Sequence, residues 1–216
     1  MRTERAATAR QLEHLGIVAV IRLKDPEKVR GVVGALAAGG VRALEVTMTV
    51  PRAVDLIREL APTLPEGFLL GAGTVTDART AHAVIDAGAS FVVGPAFRPD
   101  VIAACHESDV PVIPGCFSPT EILAAHDAGA DIIKLFPATA LGPQYVRDVL
   151  APLPHIKLMP TGGVTVDNAG DWIRAGAVAV GLGSALLDSA AIQSGRLDVI
   201  TSNAERAVAS VTAARR

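Results

Sequence analysis

Short apolar runs recur along the chain, each followed by a longer stretch of mixed polarity that closes on glycine. The runs at 18–21, 43–47, 69–72, 91–93, 112–113, 132–136, 156–159 and 178–180 are rich in Val, Ile and Leu and read as strands. Pro26 opens a helix that Gly39-Gly40 ends, and Pro51 opens the next. The segments 80–87, 119–128 and 166–175 also read as helices, and 3–15 as an extra helix before the first strand. Ala87-Gly88-Ala89, Ala128-Gly129-Ala130 and Ala175-Gly176-Ala177 repeat the glycine stop, each directly before a strand.

Strands that alternate with helices imply a parallel sheet. About eight βα units in one chain predict a (β/α)8 barrel (a TIM barrel) with an extra N-terminal helix. A doubly wound sheet would carry a Gly-x-Gly-x-x-Gly turn after its first strand, where this chain has Ile21-Arg22-Leu23-Lys24. No linker or low-complexity tract divides residues 1–216, so one domain is expected.

One residue breaks the apolar pattern. Lys134 stands inside Ile132-Ile133-Lys134-Leu135-Phe136-Pro137. Burying an ammonium there is costly unless it is paired or neutral, and a neutral lysine is a nucleophile. Side chains alternate along a strand, so Lys134 shares a face with Ile132 and Phe136, and Glu45 shares one with Ala43 and Thr47. In a barrel the second and sixth strands lie opposite each other and feed the same interior layers. Glu45 and Lys134 would therefore face one another across a small ligand, the amine attacking a carbonyl and the carboxylate moving protons. The competing interpretation is a structural ion pair, which contributes little net stability once desolvation is counted.

Barrel active sites form where strands end. Those ends carry Arg22, Thr47, Thr74, Pro95 and Phe136, the candidate substrate contacts, and Cys116, a candidate pocket wall. Arg22 would bind a carboxylate or favour the neutral lysine; a rim salt bridge is the alternative. The last two strands end in Thr161-Gly162-Gly163 and Gly181-Leu182-Gly183-Ser184. Thr161, Gly162, Gly163, Gly183 and Ser184 sit where barrels often hold phosphate through backbone N–H groups.

Composition narrows the choice. Half the residues are hydrophobic and 3% aromatic, so aliphatic side chains must fill the core. A net charge of −2 and the lack of a basic, aromatic-rich stretch argue against nucleic acid. No apolar run is long enough to span a membrane, and residues 1–15 lack a signal-peptide core. Two cysteines make no disulfide framework, which points to a reducing cytoplasm. His82, His106 and His126 fall in helical segments, His14 in the N-terminal helix and His155 in a loop, so all five read as surface histidines. With no paired-cysteine or His-Glu-x-x-His spacing, neither a metal nor another cofactor is expected.

In order along the chain, Leu44-Glu45-Val46-Thr47, Gly71-Ala72-Gly73-Thr74-Val75, Pro114-Gly115, Lys134-Leu135-Phe136-Pro137, Pro160-Thr161-Gly162-Gly163 and Gly181-Leu182-Gly183-Ser184 resemble the 2-keto-3-deoxy-6-phosphogluconate (KDPG) and 4-hydroxy-2-oxoglutarate (KHG) aldolases. The likeness runs from about Ile17 to Leu187. It implies a (β/α)8 barrel, a metal-free class I mechanism, a homotrimer, and a 2-keto acid substrate, usually phosphorylated. It also implies that Lys134 forms the Schiff base, that Glu45 shuttles protons, that Thr74 holds the substrate's carboxylate end, and that Gly162, Gly163, Gly183 and Ser184 hold its phosphate. Thr49 departs from the pattern: many members carry there an arginine that contacts substrate, while others share the Thr-Val-Pro found here. Gly142-Pro143-Gln144-Tyr145 is similar to members that act on the galactonate-series substrate. A sugar-phosphate isomerase or epimerase, and a barrel that only binds a phosphorylated ligand, are the readings from outside the family.

Overall fold

A computed structural model describes residues 4–216. Strands β1 (Ile17–Ile21), β2 (Ala43–Thr47), β3 (Leu69–Gly73), β4 (Phe91–Val93) and β5 (Val112–Ile113) pair with their neighbours in chain order, and β9 (Val180–Leu182) joins the free edge of β1. A second sheet contains β6 (Gly115–Cys116), β7 (Ile133–Leu135) and β8 (Leu158–Pro160). Every pairing is parallel. The protein is thus an α/β fold with a six-stranded and a three-stranded parallel sheet.

Among the described residues nine strands replace the expected eight, because Pro114, which has no N–H to give a ladder, interrupts the fifth run between β5 and β6. Its carbonyl still accepts from Lys134 N–H at 2.9 Å. An isolated parallel bridge joins Thr161, after β8, to Gly181 in β9. The last two strands begin and end later than the apolar runs predicted. Ile156 closes a turn onto the Leu153 carbonyl, so its hydrophobicity reports burial rather than ladder pairing, whereas half-buried Val178 donates its N–H to the Leu158 carbonyl at 3.0 Å just before β9 begins.

The helices are α1 (Glu4–Leu15), α2 (Val29–Ala38), α3 (Ala53–Leu60), α4 (Ala78–Asp86), α5 (Pro99–Glu107), α6 (Pro119–Asp127), α7 (Gly142–Leu150), α8 (Ala169–Arg174), α9 (Ser189–Gln193) and α10 (Leu197–Ala214). Thr3, placed in the first helix from sequence, lies outside the described residues. Pro26 opens a 3₁₀ turn ahead of α2, and the helix expected from Pro51 starts at Ala53, after Arg52 at φ 56°. Asp77 caps α4, which therefore starts two residues before the predicted position. Reciprocal bonds between Thr165 and Asn168 delay α8. Glycines 40, 88, 129 and 176 all have positive φ, as the helix-stop pattern requires. No helix among the described residues is long and apolar enough to cross a membrane.

Apolar side chains divide into two layers. Ile133 and Leu135 belong to the large cluster between sheet and helices, whereas Ala43, Phe91, Ile132 and Met159 meet in a smaller one on the opposite face. Leu12 of α1 is fully buried in that smaller cluster. The Asp109 carboxylate accepts from Glu4 N–H at 2.8 Å, and Arg5 pairs with Asp131 at 3.0 Å, which docks α1 at the end where the strands begin. This face, closed below by α1, is the one onto which Glu45 and Lys134 project.

Candidate active site

Only Glu45, Thr47, Lys134 and Thr161 are buried polar side chains among the described residues. All four were singled out from sequence, and each sits on a strand or at its end. β2 carries Glu45 two residues after Ala43, and β7 follows Ile132 with Lys134, so alternation places both on the inner face. They form no ion pair: both carboxylate oxygens of Glu45 are buried, and neither has a hydrogen-bond partner among the described residues. Burial pushes the Glu45 carboxyl up from its usual range, against the opposing pull of Lys134 and then Arg22. Lys134 Nζ lies 4.8 Å from the centre of the Phe136 ring, a cation–π distance.

Thr47 is fully buried, and its hydroxyl donates to the Ile21 carbonyl at 3.1 Å. That uses its single proton, so at the 2.7 Å contact with Thr49 the Thr49 hydroxyl is the donor. Thr49 therefore completes a short relay that ties β2 to β1.

Above this layer opens a cleft of about 360 Å³. Arg22, Phe136, Thr161, Gly162, Gly163, Gly183 and Ser184 line it, seven of the twelve candidates. Lys134, Glu45 and Thr47 lie beneath rather than on its wall. Thr74 and Pro95 are half-buried and stand outside it. Thr74 has φ 60°, a costly conformation for a β-branched residue. The Pro95 carbonyl packs where a Cβ on Gly115 would be, 2.4 Å away.

The rim of the cleft is made of backbone. Gly162 and Gly163 adopt φ 88° and 74°. The N–H groups of Gly162, Gly163, Ser184 and Ala185 donate to no other backbone group among the described residues. The Asn168 side chain holds the first loop, donating to the Gly163 carbonyl at 3.0 Å and accepting from Thr165 N–H at 2.7 Å. Two adjacent loops thus present free donors that suit an anion.

Three expectations need correction. Cys116 is not a pocket wall: Gly115 takes the inner position, and Cys116 turns outward to donate to the Glu121 carbonyl, its thiol pushed by burial to about 12. His106 and His126 are half-buried rather than surface residues. His106 packs against Gly129, which buries its Nε2 without a partner and lowers its proton affinity. No group of three or more His, Cys, Asp or Glu among the described residues is arranged to hold a metal.

Sequence reasoning missed two glycines. A Cβ on Gly73 would lie 1.9 Å from Glu45 Oε1, and one on Gly181 would lie 2.3 Å from Thr161 Oγ1. Each unpartnered polar group rests on a spot the neighbouring strand leaves bare. The available signal was a glycine on the strand beside each polar residue, in Gly71-Ala72-Gly73 and Gly181-Leu182-Gly183.

Residues 8–203 match the family model for KDPG and KHG aldolase. The chain belongs to that family. Among relatives of this aldolase family chain, the 2-dehydro-3-deoxy-phosphogluconate aldolase of Dickeya dadantii is 36% identical over 198 residues, 91% of this chain and 92% of its own. A probable 2-dehydro-3-deoxy-6-phosphogalactonate aldolase of Rhizobium meliloti is 37% identical over 79% of this chain and 81% of its own. The KDPG aldolase of Legionella pneumophila, crystallised with pyruvate captured as a covalent carbinolamine intermediate, superposes with a TM-score of 0.84. It is 31% identical, over 91% of this chain and 96% of that one.

Proposed function

We propose that this aldolase family member cleaves 2-keto-3-deoxy-6-phosphogluconate to pyruvate and glyceraldehyde 3-phosphate through a Schiff base on Lys134. The observation that carries the proposal is a buried amine and a buried, unpartnered carboxylate on one interior face, beneath a cleft rimmed by free N–H groups. As the free base, Lys134 attacks the C2 ketone, and water leaves with the help of Glu45. The iminium then accepts the electrons of the C3–C4 bond as Glu45 removes the C4 hydroxyl proton. Glyceraldehyde 3-phosphate departs, the enamine takes a proton at C3, and hydrolysis releases pyruvate and the lysine.

The other candidates take places around this chemistry. Arg22, Thr47, Thr74, Pro95 and Phe136 surround the keto acid end, with the Thr47 hydroxyl acting through β1 rather than as a free donor. Thr161, Gly162, Gly163, Gly183 and Ser184 receive the phosphate. The two sheets act as one closed (β/α)8 barrel, a reading supported by the Thr161–Gly181 bridge on one side and the Pro114 carbonyl on the other. The working unit is one domain, metal-free, cytoplasmic and homotrimeric; exposed Phe117 and Leu123 are the large apolar side chains that assembly would cover.

The galactonate-series substrate is the second reading, favoured by the Rhizobium relative and by the hydroxyl of Thr49, which is turned to Thr47. Cleavage of 4-hydroxy-2-oxoglutarate to pyruvate and glyoxylate needs only the keto acid half of the site. Incubation with pyruvate and borohydride should leave a reduced adduct on Lys134 by peptide mass spectrometry. An adduct elsewhere, or none, would sink the proposal, and cleavage rates on the three substrates would rank them.

A further inference from the structure

β2 and β3 are in register so that Glu45 pairs with Gly71 and Thr47 with Gly73. Yet the Glu45 carboxylate lies over Gly73, not Gly71. A Cβ on Gly73 would stand 1.9 Å from Oε1, 2.5 Å from Cδ and 2.6 Å from Cγ. The side chain therefore leans along the sheet toward the strand ends, over the next inward-facing position of β3. β3 has no freedom to withdraw. The Gly73 carbonyl accepts from Met48 N–H at 2.8 Å, and Val75 N–H donates to the Val93 carbonyl at 3.1 Å on the other side. Glu45 itself is fully buried and has no hydrogen bond to hold its oxygens.

We propose that Gly73 is a positioning residue: its missing side chain is the seat that aims the Glu45 carboxylate at the reacting carbons. This rests on the reading of Glu45 as the proton-transfer group. Among the described residues no protein group donates to either oxygen, so the bare patch on β3 is the protein surface that receives the carboxylate. A methyl group on Gly73 overlaps three atoms of the side chain, so Glu45 must swing off the strand. The amine on Lys134, carried by a different sheet, stays where it is.

The test compares Gly73→Ala with Gly71→Ala, whose methyl group on the same face of the same strand meets the Phe91 ring first, at 2.4 Å, rather than Glu45. Two activities are read with pyruvate: borohydride trapping on Lys134, and exchange of the C3 hydrogens for deuterium by NMR. In Gly73→Ala, trapping persists while exchange and kcat fall about 10²-fold with KM little changed, as a misplacement near 1 Å predicts. Gly71→Ala keeps the wild-type ratio of exchange to trapping. Equal losses of trapping and exchange in Gly73→Ala, or the same split in Gly71→Ala, overturn the proposal.

Thermal melts of Gly73→Ala, with and without Glu45→Ala, read the contact independently of catalysis. The melting-point loss caused by the methyl should largely vanish once Glu45 is truncated; an undiminished loss overturns the seat. If the single variant does not fold, the double variant decides alone, folding if the seat is real and failing if Gly73 is needed for the strand itself. Absence of trapping in the wild type would overturn the aldolase reading, whereas the melts would still judge the contact.

Discussion

Two layers of the same strands do opposite work. Ala43 and Ile132 join Leu12 and Phe91 in a dry cluster closed by α1. One side-chain repeat further along, the same strands carry Glu45 and Lys134, which are buried as deeply but are polar. The lower layer has its apolar neighbours in full. The upper one contains an amine and a carboxylate that do not satisfy each other. Since the backbone and depth are alike, the difference lies in side-chain chemistry alone. On the mechanism proposed above, stability and reactivity are separated here by a single step of two residues, so substitutions in each layer should have separable effects.

Lys134→Met breaks the comparison most sharply. It makes the upper layer resemble the lower one. Turnover should fall by on the order of 10⁴-fold or more, since loss of a covalent nucleophile can cost about 10⁶-fold in kcat. The melting temperature should fall at neutral pH, where the buried Glu45 carboxylate loses the attraction of Lys134, and recover as pH falls and that carboxyl protonates. A large loss of stability with turnover intact would identify Lys134 as a structural member of the interior.

Leu12→Ala is the converse. Leu12 is 1% exposed and joins α1 to the inner cluster. Removing it should cost about 2–5 kcal/mol in denaturant unfolding, the range for large-to-small core changes. The kcat of the folded fraction should stay within about twofold, because additivity holds between sites with no shared partners. A kcat that fell with stability would mean that the dry layer also sets the geometry of the polar one.

Much of this division was legible in the sequence, for a physical reason. A parallel strand buried on both faces is a run of apolar residues, so one lysine or glutamate in it stands out, and alternation assigns its face. Lys134 and Glu45 emerged in this way, and the rim glycines of both terminal loops from their place after the last two strands. What stayed hidden depends on neighbouring strands. The seat at Gly73 requires the β2–β3 register, and the Thr49–Thr47–Ile21 relay requires knowing which carbonyl lies beside Thr47. Strand ends were misplaced where apolar residues fill turns, as at Ile156, because hydrophobicity reports burial and not pairing. Cys116 was misread because Pro114 splits the run, obscuring which neighbour faces inward.

The smallest effect, and the finest probe of the comparison, is the pH dependence of stability due to Glu45. Burial raises its folded-state pKa above the unfolded value near 4.5. Between those two values the folded protein binds a proton that the unfolded chain does not, so stability falls as pH rises through the window. Below the window the protonated carboxyl removes the cost of a buried charge; above the raised pKa that cost is complete. Glu45→Gln keeps the shape and removes the charge at every pH. The variant should therefore melt above the wild type at neutral pH, and the gap should close as pH falls toward 4.5. Its turnover should be low throughout, because an amide cannot accept the C4 hydroxyl proton. A gap that stayed constant with pH would mean that Glu45 titrates in the folded protein as it does in the unfolded chain, against the upward push of burial. A gap that kept widening through neutral pH would mean that the folded protein still holds Glu45 protonated there, and proton transfer would have to begin from the carboxylic acid.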